Sequence, residues 1–151
     1  MSSLIDPIRA ASRQLVRGLG FTGASFANTG LSPSAVHALI EIEGGGVTAR
    51  ALAKTLGLDK SSVSRMLSKL VETGFIEENT SQDDTRIKLL SLTPAGKDKV
   101  AGIHAFARTQ VSTGLSRLQP GEAEIVLKGL RLYTDALMAQ DAQTVNIVSG
   151  Y

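Results

Sequence analysis

The sequence predicts a mainly helical chain of about six helices, interrupted once by a small β-hairpin, and three observations predict it. Apolar residues recur at helical spacing through most of the chain, as in Val63, Met66, Leu67 and Leu70. Helix start signals (Ser, Thr or Asp, in places followed by Pro) and glycine stops punctuate those runs. Only one place breaks the helical period for two β-prone runs, "FIEEN" and "IKLLSL", which flank the polar loop "TSQDDTR".

Taken in order, Asp6 and Pro7 form an N-cap and first-turn pair ahead of Ile8, Ala11, Leu15, Val16 and Leu19. The stretch "GLGFTGASFANTG" then disfavours regular helix, because glycine loses backbone entropy in one. Ser32 and Pro33 open a second helix through Val36, Leu39, Ile40 and Ile42, closed by Gly44 to Gly46. Thr48 caps a third, "ARALAKTL", ending at Gly57, and Asp59 caps a fourth from about Lys60 to Glu72, ending at Gly74. After the hairpin, Thr93 and Pro94 open the long helix "PAGKDKVAGIHAFARTQVSTGLSRL". Pro120 precedes the last, "GEAEIVLKGLRLYTDALMAQ", and "DAQTVNIVSGY" reads as a loose tail.

Composition narrows the function. The chain has 151 residues and 42% apolar content, enough for one compact domain. It lacks cysteine, which excludes disulfides, thiolate metal ligands and thiol nucleophiles. No apolar run reaches the length of a membrane span and the N-terminus carries no hydrophobic signal segment, so a cytoplasmic protein is expected. A net charge of +2 does not by itself indicate nucleic acid, and charge placement has to carry that case.

Placement is informative between Leu52 and Lys69. Leu52, Leu56, Leu58, Val63 and Met66 surround a small Ala53, with Gly57 four positions on. Two helices crossing at a tight turn need this set: a small side chain at the crossing, a glycine that accepts positive φ, and apolar residues filling the angle. Val63, Met66, Leu67 and Leu70 then face the core. Lys60, Ser61, Ser62, Ser64, Arg65, Ser68 and Lys69 are left on the outer faces or near the N-terminal end. Short serines let the backbone approach a groove, Arg65 can fork onto guanine O6 and N7, and Lys69 can meet a phosphate. An ordinary solvated face has a similar composition, but the hairpin adds Arg86 at its tip, where a wing reaches a minor groove. Glu77, Glu78, Asp83 and Asp84 make that wing locally acidic, and Asp84 is expected to support Arg86 rather than touch DNA.

These residues resemble a known family. "LAKTLGLDKSSVSRMLSKLVETGFI" followed by "DDTRIKLLSLTPAGK" is similar to the MarR family of winged helix-turn-helix regulators, with the wing pattern at Asp84, Thr85, Arg86, Leu92 and Thr93. The resemblance implies a dimeric fold in which about 4–30 and 95–140 form dimerisation helices and about 32–93 a DNA-binding lobe. It also implies partners: double-stranded DNA, a second copy of the chain, and a small aromatic or anionic effector that relieves repression. No cofactor and no metal are implied. The glycine-rich stretch departs from members that continue the first helix. The chain also resembles the regulator half of MarR–GNAT acetyltransferase fusions, which leaves open that the native polypeptide continues past Tyr151. No acetyltransferase pyrophosphate loop is present in this sequence.

Other signals rank lower. Gly18, Gly20 and Gly23 spell G-x-G-x-x-G, but a helical run precedes them and no βαβ unit follows. His37 and His104 read as partly buried helix residues, and Tyr133 and Phe106 as helix packing. The serines have no legible His and acid partners, so an enzyme is not expected. A helical protein-binding adaptor would explain the amphipathic terminal helices but not Arg65, Lys69 and Arg86 together.

Overall fold

The computed structural model describes residues 2–21, 26 and 29–148, with side chains described over 3–21, 26 and 29–139. The elements are α1 (Ser2–Gly18), α2 (Pro33–Glu43), α3 (Ala49–Leu56), α4 (Lys60–Glu72), β1 (Ile76–Thr80), β2 (Lys88–Leu92), α5 (Pro94–Leu115) and α6 (Glu122–Val148). The chain divides into two compact units, Met1–Arg108 and Thr109–Tyr151, so the boundary falls inside α5 and not in a linker.

Caps account for most of the first unit's boundaries. The side chains of Ser32, Thr48 and Asp59 accept from the backbone N–H groups of Ala35, Ala51 and Ser62, each satisfying a donor that the first helical turn leaves unpaired. Gly57 ends α3 at φ 64°, a left-handed conformation that a β-carbon would oppose. The short turn Gly57–Leu58 then redirects the chain into α4.

The core lies where α2, α3, α4, the hairpin and α5 converge. Leu39, Ile42, Leu52, Leu70, Ile76 and Ile103 are its largest fully buried side chains. The hairpin is antiparallel, with Ile76 opposite Leu92 and Thr80 opposite Lys88. Its alternation puts Leu90 and Leu92 inward and leaves all of β1 after Ile76 exposed. A bridge from Leu90 to Val47 ties the wing to the segment ahead of α3.

At Gly96 the packing is closest. A β-carbon there would stand 2.0 Å from the Phe75 carbonyl oxygen. Thr93 fixes the same junction: its N–H donates to the Phe75 carbonyl at 3.0 Å and its hydroxyl donates to the Gly74 carbonyl. The Gly96 N–H in turn donates to the Thr93 hydroxyl at 3.0 Å, so Thr93 also caps α5.

Several expectations are corrected. Asp6 is not the cap of α1, which begins at Ser2 and contains Pro7. Proline is tolerated there because the bond it forfeits, to the Ser3 carbonyl, lies in the opening turns; Asp6 instead pairs with Arg9 at 2.9 Å. The strands begin one residue later than their β-prone runs, and α5 ends at Leu115, not Leu118. The backbone of α6 continues to Val148 through the expected loose tail, in a stretch with no glycine or proline before Gly150 to stop it. Residues 149–151, and Gly23 of the glycine motif, lie outside the described residues. His37 is exposed, stacked on Phe21 at 5.2 Å, and not a core residue. His104 is half-buried and meets Glu43 of α2 at 2.8 Å. Phe106 packs edge-on against Phe26 but is 44% exposed, as is Tyr133.

Candidate nucleic-acid interface

The second helix of the α3–α4 pair separates into two sides. Val63, Leu67 and Leu70 are buried, while Lys60, Ser61, Ser64, Arg65, Ser68 and Lys69 are exposed and Ser62 is half-buried. The exposed centre is the stripe Ser61, Arg65 and Ser68, spaced as neighbours along a helix face. All the outward residues expected from the sequence therefore share one element, and its core side is filled.

At the N-terminal end Asp59 organises its neighbours. Its Oδ1 accepts from the Ser62 N–H at 2.7 Å and from the Ser61 hydroxyl at 2.8 Å, and its Oδ2 accepts from the Ser62 hydroxyl at 2.8 Å. These bonds, the backbone one first, lower the Asp59 pKa from 3.8 to about 2. Ser61 and Ser62 are thus engaged through their hydrogens. The Arg65 guanidinium lies 3.5 Å from the Ser62 hydroxyl oxygen. No partner of the Ser64 or Ser68 hydroxyl occurs among the described residues.

The wing tip holds the second cluster. Arg86 Nε donates to Asp84 Oδ1 and its Nη2 to Oδ2, both at 3.1 Å, a bidentate pair. The Arg86 backbone N–H adds a third bond to Oδ1 at 3.0 Å. These bonds, the side-chain one first, hold the Asp84 carboxyl below its usual range. The Arg86 side chain is nevertheless 89% exposed, so the pairing orients the guanidinium without covering it. On the strands Lys88 meets Glu78 at 3.7 Å, which offsets part of the wing's acidity.

One feature escaped sequence reasoning. A cleft of about 580 Å³ opens between α3, α4 and β1, with Ala53, Val63 and Leu67 among its lining and Arg50, Lys60 and Glu78 also on it. Arg50 is exposed in the first turn of α3, and its signal in the sequence is only a cation two residues after the Thr48 cap. Among the described residues, no group of three or more His, Asp or Glu is placed to hold a metal, and no helix is long and apolar enough to cross a membrane.

A helix pair with its second helix outward-facing, followed by a two-stranded wing, is the winged helix-turn-helix fold. Residues 29–87 match the model of the MarR family. YfiV of Bacillus subtilis, named as an uncharacterized HTH-type transcriptional regulator, is 27% identical over 86 residues, 57% of this chain and 54% of that protein. The chain thus spans about half the length of that relative. A Thauera aromatica protein named as a regulator for the hcr operon is 29% identical over 137 residues, 89% of this chain and 76% of that one. In fold, the chain is similar to FabT of Streptococcus pneumoniae, solved in complex with DNA, at TM-score 0.73 and 20% identity over 92% of this chain and 98% of that one. Over residues 29–87 the chain is thus similar to the MarR family, and the relatives it matches are named as transcriptional regulators.

Proposed function

We propose that the chain acts in the cytoplasm as a two-fold homodimer, that it reads a pseudo-palindromic operator, and that it represses transcription until a small ligand releases it. The observation that carries the DNA-reading part is the one-sided α4: three buried apolar anchors behind an exposed stripe of Ser61, Arg65 and Ser68, flanked by Lys69. Arg65 reads a guanine in the major groove and Lys69 meets phosphate. Lys60, Ser64 and, by its place on the first helix of the pair, Arg50 hold the flanking backbone. Arg86 enters the minor groove, supported by Asp84.

The homodimer rests on apolar surface left uncovered in a single chain. On α1, Leu4, Ile5 and Ile8 are exposed, and on α6 so are Ile125, Leu130, Leu132 and Leu137. Such faces exceed what a monomer leaves in water. A small aromatic or anionic effector is supported by the rings of Phe21, Phe26, His37 and Phe106, which stack or meet edge-on at 5.2 to 6.0 Å.

The test is binding to fragments of the source genome followed by titration with salt. Two half-sites about 10 base pairs apart are expected, with affinity falling as salt rises. Arg65→Ala should cost about 1–3 kcal/mol and relax preference at one position, whereas Lys69→Ala should weaken all sequences about equally. Retention on no duplex would refute the proposal, and equal losses from both changes on every sequence would move Arg65 to a phosphate.

A further inference from the structure

Four serines lie on or beside the outward face of α4, and the structure divides them into two chemical kinds. A serine hydroxyl has one hydrogen to donate and two lone pairs that accept. The Ser61 and Ser62 hydroxyl oxygens each lie 2.8 Å from an oxygen of Asp59. A carboxylate that is ionised can only accept, so both hydroxyls must be donating to it. Asp59 is ionised at neutral pH, its pKa lying near 2 because the Ser62 backbone N–H and the two hydroxyls all bond its charged form. Ser64 and Ser68, by contrast, have no such partner among the described residues and keep their hydrogens.

We infer that Asp59 is a specificity-determining residue: by consuming the Ser61 hydroxyl hydrogen it makes Ser61 an obligate acceptor, matched to the exocyclic amine of adenine or cytosine in the major groove. This rests on the proposal that α4 reads DNA. The groove edges of guanine and thymine present acceptor oxygens, O6 and O4, where adenine and cytosine present N6 and N4 amines. A Ser61 able to rotate its hydrogen would tolerate either kind. A Ser61 locked onto Asp59 meets O6 or O4 with lone pairs on both sides, and a phosphate oxygen likewise. Ser62 is locked in the same way, but it is half-buried and has the Arg65 guanidinium 3.5 Å from its oxygen, so it serves the helix rather than the groove.

Ser61 and Arg65 lie on one stripe, four residues apart. Their readouts are opposite in sign, an acceptor and then a donor fork. The rise of four helical residues, about 6 Å, spans roughly two base-pair steps. Ser61 is therefore expected to meet an amine about two steps from the guanine read by Arg65.

The test uses the full chain and a pool of randomised duplexes. The position read by Ser61 is the one whose preference vanishes in Ser61→Ala. Each base pair there carries one amine-bearing base, adenine or cytosine, on one strand or the other. Replacing that base by purine or by pyrimidin-2-one, which lack the amine, should weaken binding about 3- to 10-fold, the value of one neutral hydrogen bond. Two variants then separate charge from polarity. Asp59→Asn and Asp59→Gly both remove the charge, and glycine is tolerated at a helix N-cap. Only Asp59→Gly withdraws the acceptor that holds the Ser61 hydrogen. Asp59→Asn should keep the loss on amine deletion, and Asp59→Gly should shrink it, because a Ser61 free to rotate can donate instead to a carbonyl oxygen of the groove edge.

An amine deletion without loss would overturn the inference. So would an unchanged response to that deletion in Asp59→Gly, or no Ser61-dependent position in a selected site. Selection of no sequence at all would overturn the DNA-reading proposal as well, which distinguishes the two failures. The wild-type measurements on modified bases decide the matter even if a variant fails to fold.

Discussion

Gly96 sets two general expectations against each other. Replacing a helical glycine by alanine gains about 1 kcal/mol of helix propensity. Here the new β-carbon would stand 2.0 Å from the Phe75 carbonyl oxygen and 2.9 Å from its carbon. Both are main-chain atoms at the junction of α4 with the wing, so neither can swing aside. Relief requires that α5 and Phe75 part by about 1 Å, beyond the reach of favourable contact. That movement stretches the Thr93 bonds to the carbonyls of Phe75 and Gly74. Two weakened hydrogen bonds at about 1 kcal/mol each, with an overpacking cost of about 1–3 kcal/mol, outweigh the propensity gain. Gly96→Ala should therefore destabilise by about 2–4 kcal/mol, lowering Tm by roughly 10 °C. Thermal unfolding followed by circular dichroism reads this directly, at one fixed protein concentration because a dimer's Tm depends on it. Gly102→Ala on the same helix, with nothing within 4 Å of its built β-carbon, should leave Tm unchanged or raise it. A Gly96→Ala protein as stable as the wild type would refute the reasoning.

Further outcomes are expected elsewhere. Arg86→Ala should weaken DNA binding, with most loss at A·T-rich flanks, and leave Tm unchanged. Asp84→Ala should weaken binding too, although it removes a negative charge, because the bidentate pair that orients Arg86 is lost; tighter binding at low salt would show repulsion to dominate. The Asp59 carboxyl has its folded pKa below its ordinary value, so its contribution is present above about pH 3.8 and is lost as pH falls toward about 2. Asp59→Asn should flatten the stability profile across that interval relative to wild type, measured as Tm against pH, and parallel profiles would contradict it. Charge placed on α6 by Leu132→Asp, at a side chain 63% exposed in one chain, should shift the mass in solution from dimer to monomer. A wild-type mass that is already monomeric at micromolar concentration would remove the dimer.

How far the sequence reveals the molecule depends on whether a signal is local. The caps Ser32, Thr48 and Asp59 and the left-handed Gly57 lie within a few residues of what they terminate, and the starts of α2, α3 and α4 and the end of α3 are legible from them. The outward stripe of α4 followed from periodicity alone. Pro7 misled because a proline is as acceptable in the opening turns as at the start. The demand on Gly96 could not be read from "TPAGK", since the atom it accommodates belongs to Phe75, twenty-one positions earlier. The polarity of Ser61 was equally hidden: composition gives a hydroxyl, and only the position of the Asp59 carboxylate says which way its hydrogen points.

Thr93 is both the residue after the last strand and the cap of the helix that follows, and Pro94, with its φ fixed by the ring, comes next. No residue is left over between β2 and α5 to serve as a hinge. The wing is consequently rooted: its base cannot swing against the long helix unless a strand end or a helical turn melts. Compliance is confined to the far end, between Ser81 and Ile87, where the Asp84 carbonyl accepting from Ile87 and the Ile87 carbonyl accepting from Ser81 are the loop's own backbone closures. A protein built this way adapts to variation in groove width with about seven residues and holds everything behind them still. Hydrogen exchange should show that division as fast amides at the tip and slow ones at Leu90, Leu92 and Thr93, and uniform protection along the hairpin would contradict it.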